Sequence, residues 1–466
     1  MISTFPKIIA NRGLVLYLIS LVLVSVAFMS HAMDIVWFVL GIIEVSLFFL
    51  VSNKLTTQWK DMPPKLFVKN VFWVAFLLRI VWVIFSYYFY SYRTGSPFEY
   101  NAADSISYHG DAEWLAREPW KTTWNYLFVD RTSYSDTGYC LYLTFLYKIA
   151  GPSVFIARAI KAILGSILCV LIYKLATRTV NENVGKMAAI FTMLMPNLII
   201  YCGLHLKETE MLLLIVLFLE RADFAIRSRK ITLWNVLIPV VLAGTLFLFR
   251  TVLGVVTLFS FLTALLFSPS HVLKKGRRVV LILWVVGGVA VLAGGVILNE
   301  VEELWLNRET NQEIKREQQE IRGNQWARYA TGTVMAPMVF VLPFSTMVDT
   351  DQENQTMLHG GNYVRNFMGV FVLLSLFSAI FIKKNWRDFA LIGSFVIGYL
   401  GVISLSGFAG SERFLLPGLP CLIIFWAYGI SVLNVKSYRF VKAWYIIVPL
   451  MEIGWAFFKI GSRGLL

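Results

Sequence analysis

Along this chain long apolar runs alternate with short polar stretches, with two exceptions. Runs of about 18 residues or more recur, the length that crosses a hydrocarbon layer about 30 Å thick. They predict about thirteen membrane spans, at 13–31, 34–52, 71–91, 153–173, 187–204, 209–226, 233–249, 251–268, 279–298, 366–382, 389–406, 414–433 and 443–459. The pairs 13–52 and 233–268 read as tight helical hairpins. The segment GYCLYLTFLYKIA, 138–150, is apolar but short and close to Pro152, which predicts a helix lying in the interface. Ser30 and Ala32 after the first run are spaced like a leader cleavage site, although a second span follows at once. The expected fold is an all-α polytopic membrane protein, one membrane domain over 1–466. Its two large polar loops are at 92–136 and 299–365.

Composition agrees. Of 466 residues, 58% are apolar and only 15% charged, against about 45–50% and about 25% in soluble domains. Mean hydropathy is +0.67. The net charge of +14 would fit nucleic acid, but its distribution argues for topology instead. With the N-terminus inside, each inner loop carries at least three Lys or Arg, as in Lys54, Lys60, Lys65 and Lys69 or Lys274, Lys275, Arg277 and Arg278. Most acids then fall outside, in the two large loops. The basic excess serves orientation and attraction to anionic inner-leaflet lipid, with no nucleic-acid partner. Cys140, Cys169, Cys202 and Cys421 are scattered without metal or disulfide spacing.

The first polar loop holds ADSISYHGDAEWLA, which reads as a short helix. Asp104, Tyr108, Asp111 and Leu115 recur at helical spacing, so they share a face, with Ile106 and Trp114 behind. The plain reading of Asp104 is an N-cap; the chemical one is a general base. His109 with Asp111 has the donor types for a metal. Several cations recur at the same outer level: Arg158 and Lys161 at a span end, Lys207 beside His205, Glu208 and Glu210, Arg250 in LFLFRTVLG, and Arg413 in SGFAGSERFLLPGLP. Singly, each would snorkel to headgroups. Together, beside carboxylates, they have the chemistry to hold a lipid phosphate and neutralise charge as it leaves.

Five stretches resemble the GT-C superfamily of integral-membrane glycosyltransferases, near the bacterial protein mannosyltransferases and lipid A aminoarabinose transferases. They are DSISYHGDAEWLA, YSDTGYCLYLTFLYKIAGPSVFIARAIKAILG, MAAIFTMLMPNLIIYCGLHLKETEMLLLIVLFLE, FLFRTVLG and SERFLLPGLPCLIIFWAYG. They touch roughly 95–260 and 405–430. Where the family often pairs Asp with Glu in the first loop, Asp104 is followed by Ser105. The resemblance implies transfer of a sugar from a polyprenyl-phosphate donor to a lipid, glycan or protein acceptor on the outer face of a bacterial inner membrane. It makes Asp104 the base, with Asp111 or Asp136 assisting. Lys207, Arg250 and Arg413 would contact the donor phosphate, and Tyr108, His109, Arg158, Lys161 and Glu208 complete the expected binding set. No cofactor is implied with certainty, and a divalent metal is left open.

In the second loop, 299–330 mixes charges in the manner of a solvated helix. TVMAPMVFVLPFSTMV follows, broken by Pro337 and Pro343, as in a re-entrant or lid segment. Asp349 and Asp351 are the obvious metal pair there. Within the spans, Arg79, Glu44 and Glu452 are costly unless paired, and Arg79 with Glu44 is the expected pair. Two other functions compete. A polysaccharide polymerase or ligase would use a lipid-diphosphate oligosaccharide at an Arg-dominated site. A lipid-linked sugar flippase would show related halves and a midplane site, and no such symmetry is visible.

Overall fold

The structure, a computed structural model, describes residues 2–130, 135–228, 232–267, 338, 340–349, 353–405 and 411–461. Every regular element among them is helical. The first group is α1 (Lys7–Ala27), α2 (Ile35–Gln58) and α3 (Pro64–Thr94). Next come α4 (Ala103–Arg117), α5 (Thr137–Ala150), α6 (Val154–Thr179), α7 (Glu182–Leu194) and α8 (Pro196–Ile200). Then follow α9 (Glu208–Arg227), α10 (Leu233–Phe249) and α11 (Thr251–Phe267). The last four are α12 (His359–Ile382), α13 (Trp386–Ser404), α14 (Glu412–Ser431) and α15 (Tyr438–Gly461).

Among the described residues, eight helices are long and apolar enough to cross a membrane, or nine if the bent pair at α7 and α8 is one span. The chain is a polytopic α-helical membrane protein. The count differs from the expected thirteen for definite reasons. Helices α10 and α11 are shorter, at 17 residues each, and α9 carries Glu208, Glu210, Glu220, Arg221, Asp223 and Arg227. Residues 279–298 lie outside the described residues. The 138–150 segment is the helix α5, packed on α4 rather than inserted as a span.

Helix α14 is the centre, with 94% of its apolar window buried, against 28% for α3 and α15 at the periphery. It packs on α12 and α7; α6 packs on α3, α7 and α9; α1 rests on α15, and α2 on α12. Large apolar side chains such as Val22, Leu77, Ile397 and Ile446 point outward, where hydrocarbon takes the place of water and no penalty follows.

Pro196 shapes the middle of the bundle. Its ring disfavours helical geometry at the residue before it and it has no N–H to donate. Met195 is accordingly extended, at φ −66° and ψ 116°, and the axis bends by 56° between α7 and α8. The charges of α9 are absorbed by neighbours: Arg178 on α6 meets Glu220 at 2.7 Å and Asp223 at 2.8 Å. The expected Arg79–Glu44 pair does not form. Arg79 donates to the carbonyls of Thr192 (3.2 Å) and Met193 (3.3 Å), the backbone near the end of α7. Glu44 instead accepts from the Gly361 N–H at 3.1 Å. The Nη atoms of the buried guanidinium are thus met by backbone acceptors rather than by a carboxylate, while Nε has no hydrogen bond among the described residues.

Candidate functional site

Helix α4 starts without a side-chain cap. Ala102 holds the N-cap position, and Asp104 lies in the first turn with its carboxylate turned elsewhere. The capping reading is therefore set aside. The buried face of α4 is Ser105, Tyr108, Ala112 and Leu115, one position round from the face expected for Asp104 and Asp111. Tyr108 packs edge-on to Tyr139, with ring centroids 5.1 Å apart. Asp104 sits at the margin of that face, with 55% of its side chain exposed.

The Asp104 carboxylate is held by Arg413 Nη1, and Arg413 Nε donates to Glu208. One guanidinium thus joins α4 to α9 from the start of α14. Its neighbour Glu412 faces the other way. It accepts from Asn197 Nδ2 at 2.7 Å and pairs with Arg365 at 3.5 Å. Asn197 also donates to Asn362 Oδ1 at 3.1 Å. The Pro196 break is what brings Asn197 to this position, since α8 restarts at an angle to α7.

Above these groups opens a polar cavity of about 550 Å³. Glu99, Tyr100, Asp104 and Ser105 line it from the first loop, Glu412 and Arg413 from α14, and Trp455 and Lys459 from α15. Pro343 and Thr346 close it from the segment 340–349, so the tail of the second loop does contribute a wall. That segment is non-helical and largely buried; residues 299–337, including the expected solvated helix, lie outside the described residues. Lys459 Nζ donates to Gln355 Oε1 at 2.9 Å and lies 5.0 Å from the centroid of the Trp455 ring.

The cavity adjoins an apolar groove of about 400 Å³ between α2 and α3. Ile35, Val39, Ile43, Phe85 and Phe89 line the groove. Met357 lines both spaces, and Tyr90 OH donates to its sulfur at 3.0 Å. The polar cavity and the apolar groove therefore share one wall residue.

The remaining expected cations do not form an open ring. Arg158 pairs with Glu99 at 3.4 Å and is fully buried. Lys161 is also fully buried; it pairs with Glu210 at 3.5 Å and donates to the carbonyls of Leu204 and Leu206. Lys207 pairs with Asp136 and donates to the Phe249 carbonyl at 2.8 Å. Arg250 donates to Tyr399 OH at 3.0 Å and stacks 4.5 Å over Phe414. These four pack the shell behind the cavity, whose lining cations are Arg413 and Lys459. Asp111 contacts Tyr126 OH at 3.5 Å, away from the cavity lining. His109 Nδ1 meets Tyr147 OH at 2.8 Å, and the same hydroxyl meets His205 Nε2 at 3.2 Å.

Burial sets the charge states of this shell. It pulls the imidazoles of His205 and His109 below their ordinary range. Burial first and then the Arg250 charge pull the Lys207 ammonium down to about 7, opposed by the Glu208 carboxylate. Burial alone would raise Glu208, but Arg413 and Arg250 outweigh it and hold Glu208 below the usual carboxylate range.

Among the described residues no group of three or more His, Cys, Asp or Glu is arranged to hold a metal ion. Asp111 accepts from Tyr126 OH while His109 Nε2 faces Glu113 at 3.8 Å, Asp349 donates its N–H to the His31 carbonyl at 2.9 Å, and Asp351 lies outside the described residues. Sequence reasoning passed over Glu99, Asn197, Glu412 and Lys459. Lys459 had a usable signal, being a cation at the outer end of the last expected span. No family model and no curated protein matches the chain.

Proposed function

We propose that the chain is a GT-C-type membrane glycosyltransferase, moving a sugar from a polyprenyl-phosphate donor to an acceptor hydroxyl at the outer face of a bacterial inner membrane. The observation that carries this reading is that Met357 lines both a cavity bearing carboxylates and cations and a largely apolar groove. A ligand filling both has an anionic, hydrogen-bonding head and a long hydrocarbon chain.

In this scheme the chain of the donor lies along α2 and α3 and its phosphate enters between Arg413 and Lys459. The phosphate takes over Arg413 and releases the Asp104 oxygen that the guanidinium held. Asp104 then accepts the proton of the acceptor hydroxyl. The acceptor oxygen bonds to the anomeric carbon as the bond from that carbon to the phosphate oxygen breaks. Polyprenyl phosphate leaves, its new charge facing the two cations. Attack opposite the leaving group inverts the anomeric centre. Glu208 and Glu412 act indirectly, the first by aiming Arg413 and the second by fixing the start of α14 to Asn197 and Arg365.

The test is purified protein offered a panel of polyprenyl-phosphate sugars, with loss of donor and gain of glycosylated acceptor measured. A polymerase or ligase is the second reading, favoured by the presence of two cations on one cavity, enough for a diphosphate. In that case lipid-diphosphate oligosaccharides are consumed and Asp104→Asn remains active. A flippase would move the donor across the bilayer with its sugar still attached.

A further inference from the structure

Below the polar cavity, two carboxyls are buried in the bundle without a counter-charge. Glu44 on α2 is 6% exposed and Glu452 on α15 is 0% exposed. Among the described residues no Lys or Arg pairs with either, and Glu44 Oε1 and both oxygens of Glu452 have no hydrogen-bond partner. Both lie close enough to Tyr17 on α1 to act on it electrostatically. Tyr17 OH shares a hydrogen bond of 2.9 Å with His359 Nε2 on α12, and His359 Nδ1 lies 2.7 Å from the Thr356 carbonyl. Tyr363 packs edge-on to Tyr17 at 5.0 Å and donates to the Gly13 carbonyl at 3.0 Å. Among the described residues Tyr17, His359 and Tyr363 are thus titratable groups near the two carboxyls, and the Ser345 backbone, whose N–H donates to Asn366 Oδ1 at 3.2 Å, lies near Glu452 from the segment 340–349.

The packing makes room for this cluster. A Cβ at Gly41 would stand 2.1 Å from His359 Nε2 and 2.3 Å from Tyr17 OH, and one at Gly360 would stand 2.4 Å from Glu44 Oε2. The cluster also adjoins the cavity. His359 follows the lining residue Leu358, Glu452 is one helical turn from the lining residue Trp455, and Ser345 Oγ donates to the His359 carbonyl at 2.8 Å. Ionised carboxylates without partners are costly in a low-dielectric bundle, whereas a bound proton removes the charge.

We propose that Glu44 and Glu452 form a proton-binding site inside the membrane domain, exchanging its proton with the cavity through Tyr17 and His359. The ligand we assign is a proton rather than a metal ion: among the described residues no group of three or more His, Cys, Asp or Glu is placed to hold one, and a proton needs no further donors. The site stands independently of the transferase reading.

A hydrophobic carbodiimide tests it on the intact protein in lipid vesicles. The reagent reacts with the protonated carboxyl: the carboxyl oxygen bonds the central carbon, the proton passes to nitrogen, and rearrangement leaves a stable acylurea. Peptide mass spectrometry should find the adduct on Glu44 or Glu452, with a rate that falls as pH rises and does not change between sodium and choline chloride. Glu44→Gln and Glu452→Gln should each remove their own adduct. Infrared difference spectra decide the matter if the reagent is sterically excluded. They should show a protonated-carboxyl band that shifts in deuterium oxide, is lost in the double Gln variant, and exchanges more slowly in His359→Gln. Absence of both adduct and band, or protection by sodium, overturns the proposal.

Discussion

Arg413 donates to Asp104 across 309 residues of sequence, and the same guanidinium holds Glu208. The two carboxylates differ in kind. Asp104 is half-exposed at the cavity margin, while Glu208 is fully buried. One contact can be exchanged for a ligand, and the other serves as the anchor that keeps Arg413 in place.

Asp104→Asn should separate chemistry from folding. Partly exposed ion pairs contribute about 0–1 kcal/mol, so the variant should melt close to the parent. Loss of a general base costs about 10²–10⁴-fold in rate. Transfer from the polyprenyl-phosphate donor should drop by that factor with donor binding retained. Full activity in a folded Asp104→Asn protein would remove this residue from the mechanism.

Arg413→Gln should behave differently, because it strands Glu208 in the interior. Removing one partner of a buried pair costs about 3–5 kcal/mol, with Arg250 recovering part of it. Adding Glu208→Gln to Arg413→Gln should restore much of the lost thermal stability in detergent, a coupling that a double-mutant cycle reads directly. Additive effects of the two changes would show that the pair contributes no shared stability.

His205 predicts a loss of stability in mild acid. Burial lowers its folded-state pKa, so the unfolded chain, titrating near the ordinary value of about 6.5, binds the proton first. The stabilisation is complete above about 6.5 and is lost as pH falls below it, by about 1.4 kcal/mol per unit. His109, also lowered by burial, adds in the same direction. Melting at pH 7.5 and 5.5 should show the drop in the parent and a smaller drop in His205→Gln. Equal drops in both proteins would assign the acid sensitivity elsewhere.

Val39→Trp should fill the groove between α2 and α3 while leaving the polar cavity untouched. The expected outcome is a raised KM for long-chain donors and an unchanged KM for a donor with a short, water-soluble chain. A uniform effect on both donors would place the hydrocarbon chain somewhere other than this groove.

Much of the architecture was legible from hydrophobic run length alone. Twelve of the expected spans coincide with helices, because an apolar stretch of that length has its backbone polar groups satisfied as helix whatever its neighbours are. The short helix at 138–150 and the helix around Asp104 came from the same local logic. Candidate chemistry was legible only as residue types at one expected level of the bundle. Run length could place Arg158, Lys161, Lys207 and Arg250 together at that level, but not distinguish a cation lining the cavity from one bonded to a carbonyl behind it. Arg79 shows the limit most plainly: its expected acid was available nearby in the sequence, yet backbone carbonyls near the end of α7 took its place.

Periodicity and composition thus determined that the chain is a helical membrane protein with its acids gathered in two loops, since both properties depend on neighbours within a few turns. Only the tertiary structure decided which acids and cations meet. Asp104 with Arg413, Asn197 with Glu412, Lys459 with Gln355, and the unpaired Glu44 and Glu452 all depend on how distant helices cross. Those crossings follow from shape, a Pro196 bend and glycines that let helices approach, and no local pattern of residue types specifies them.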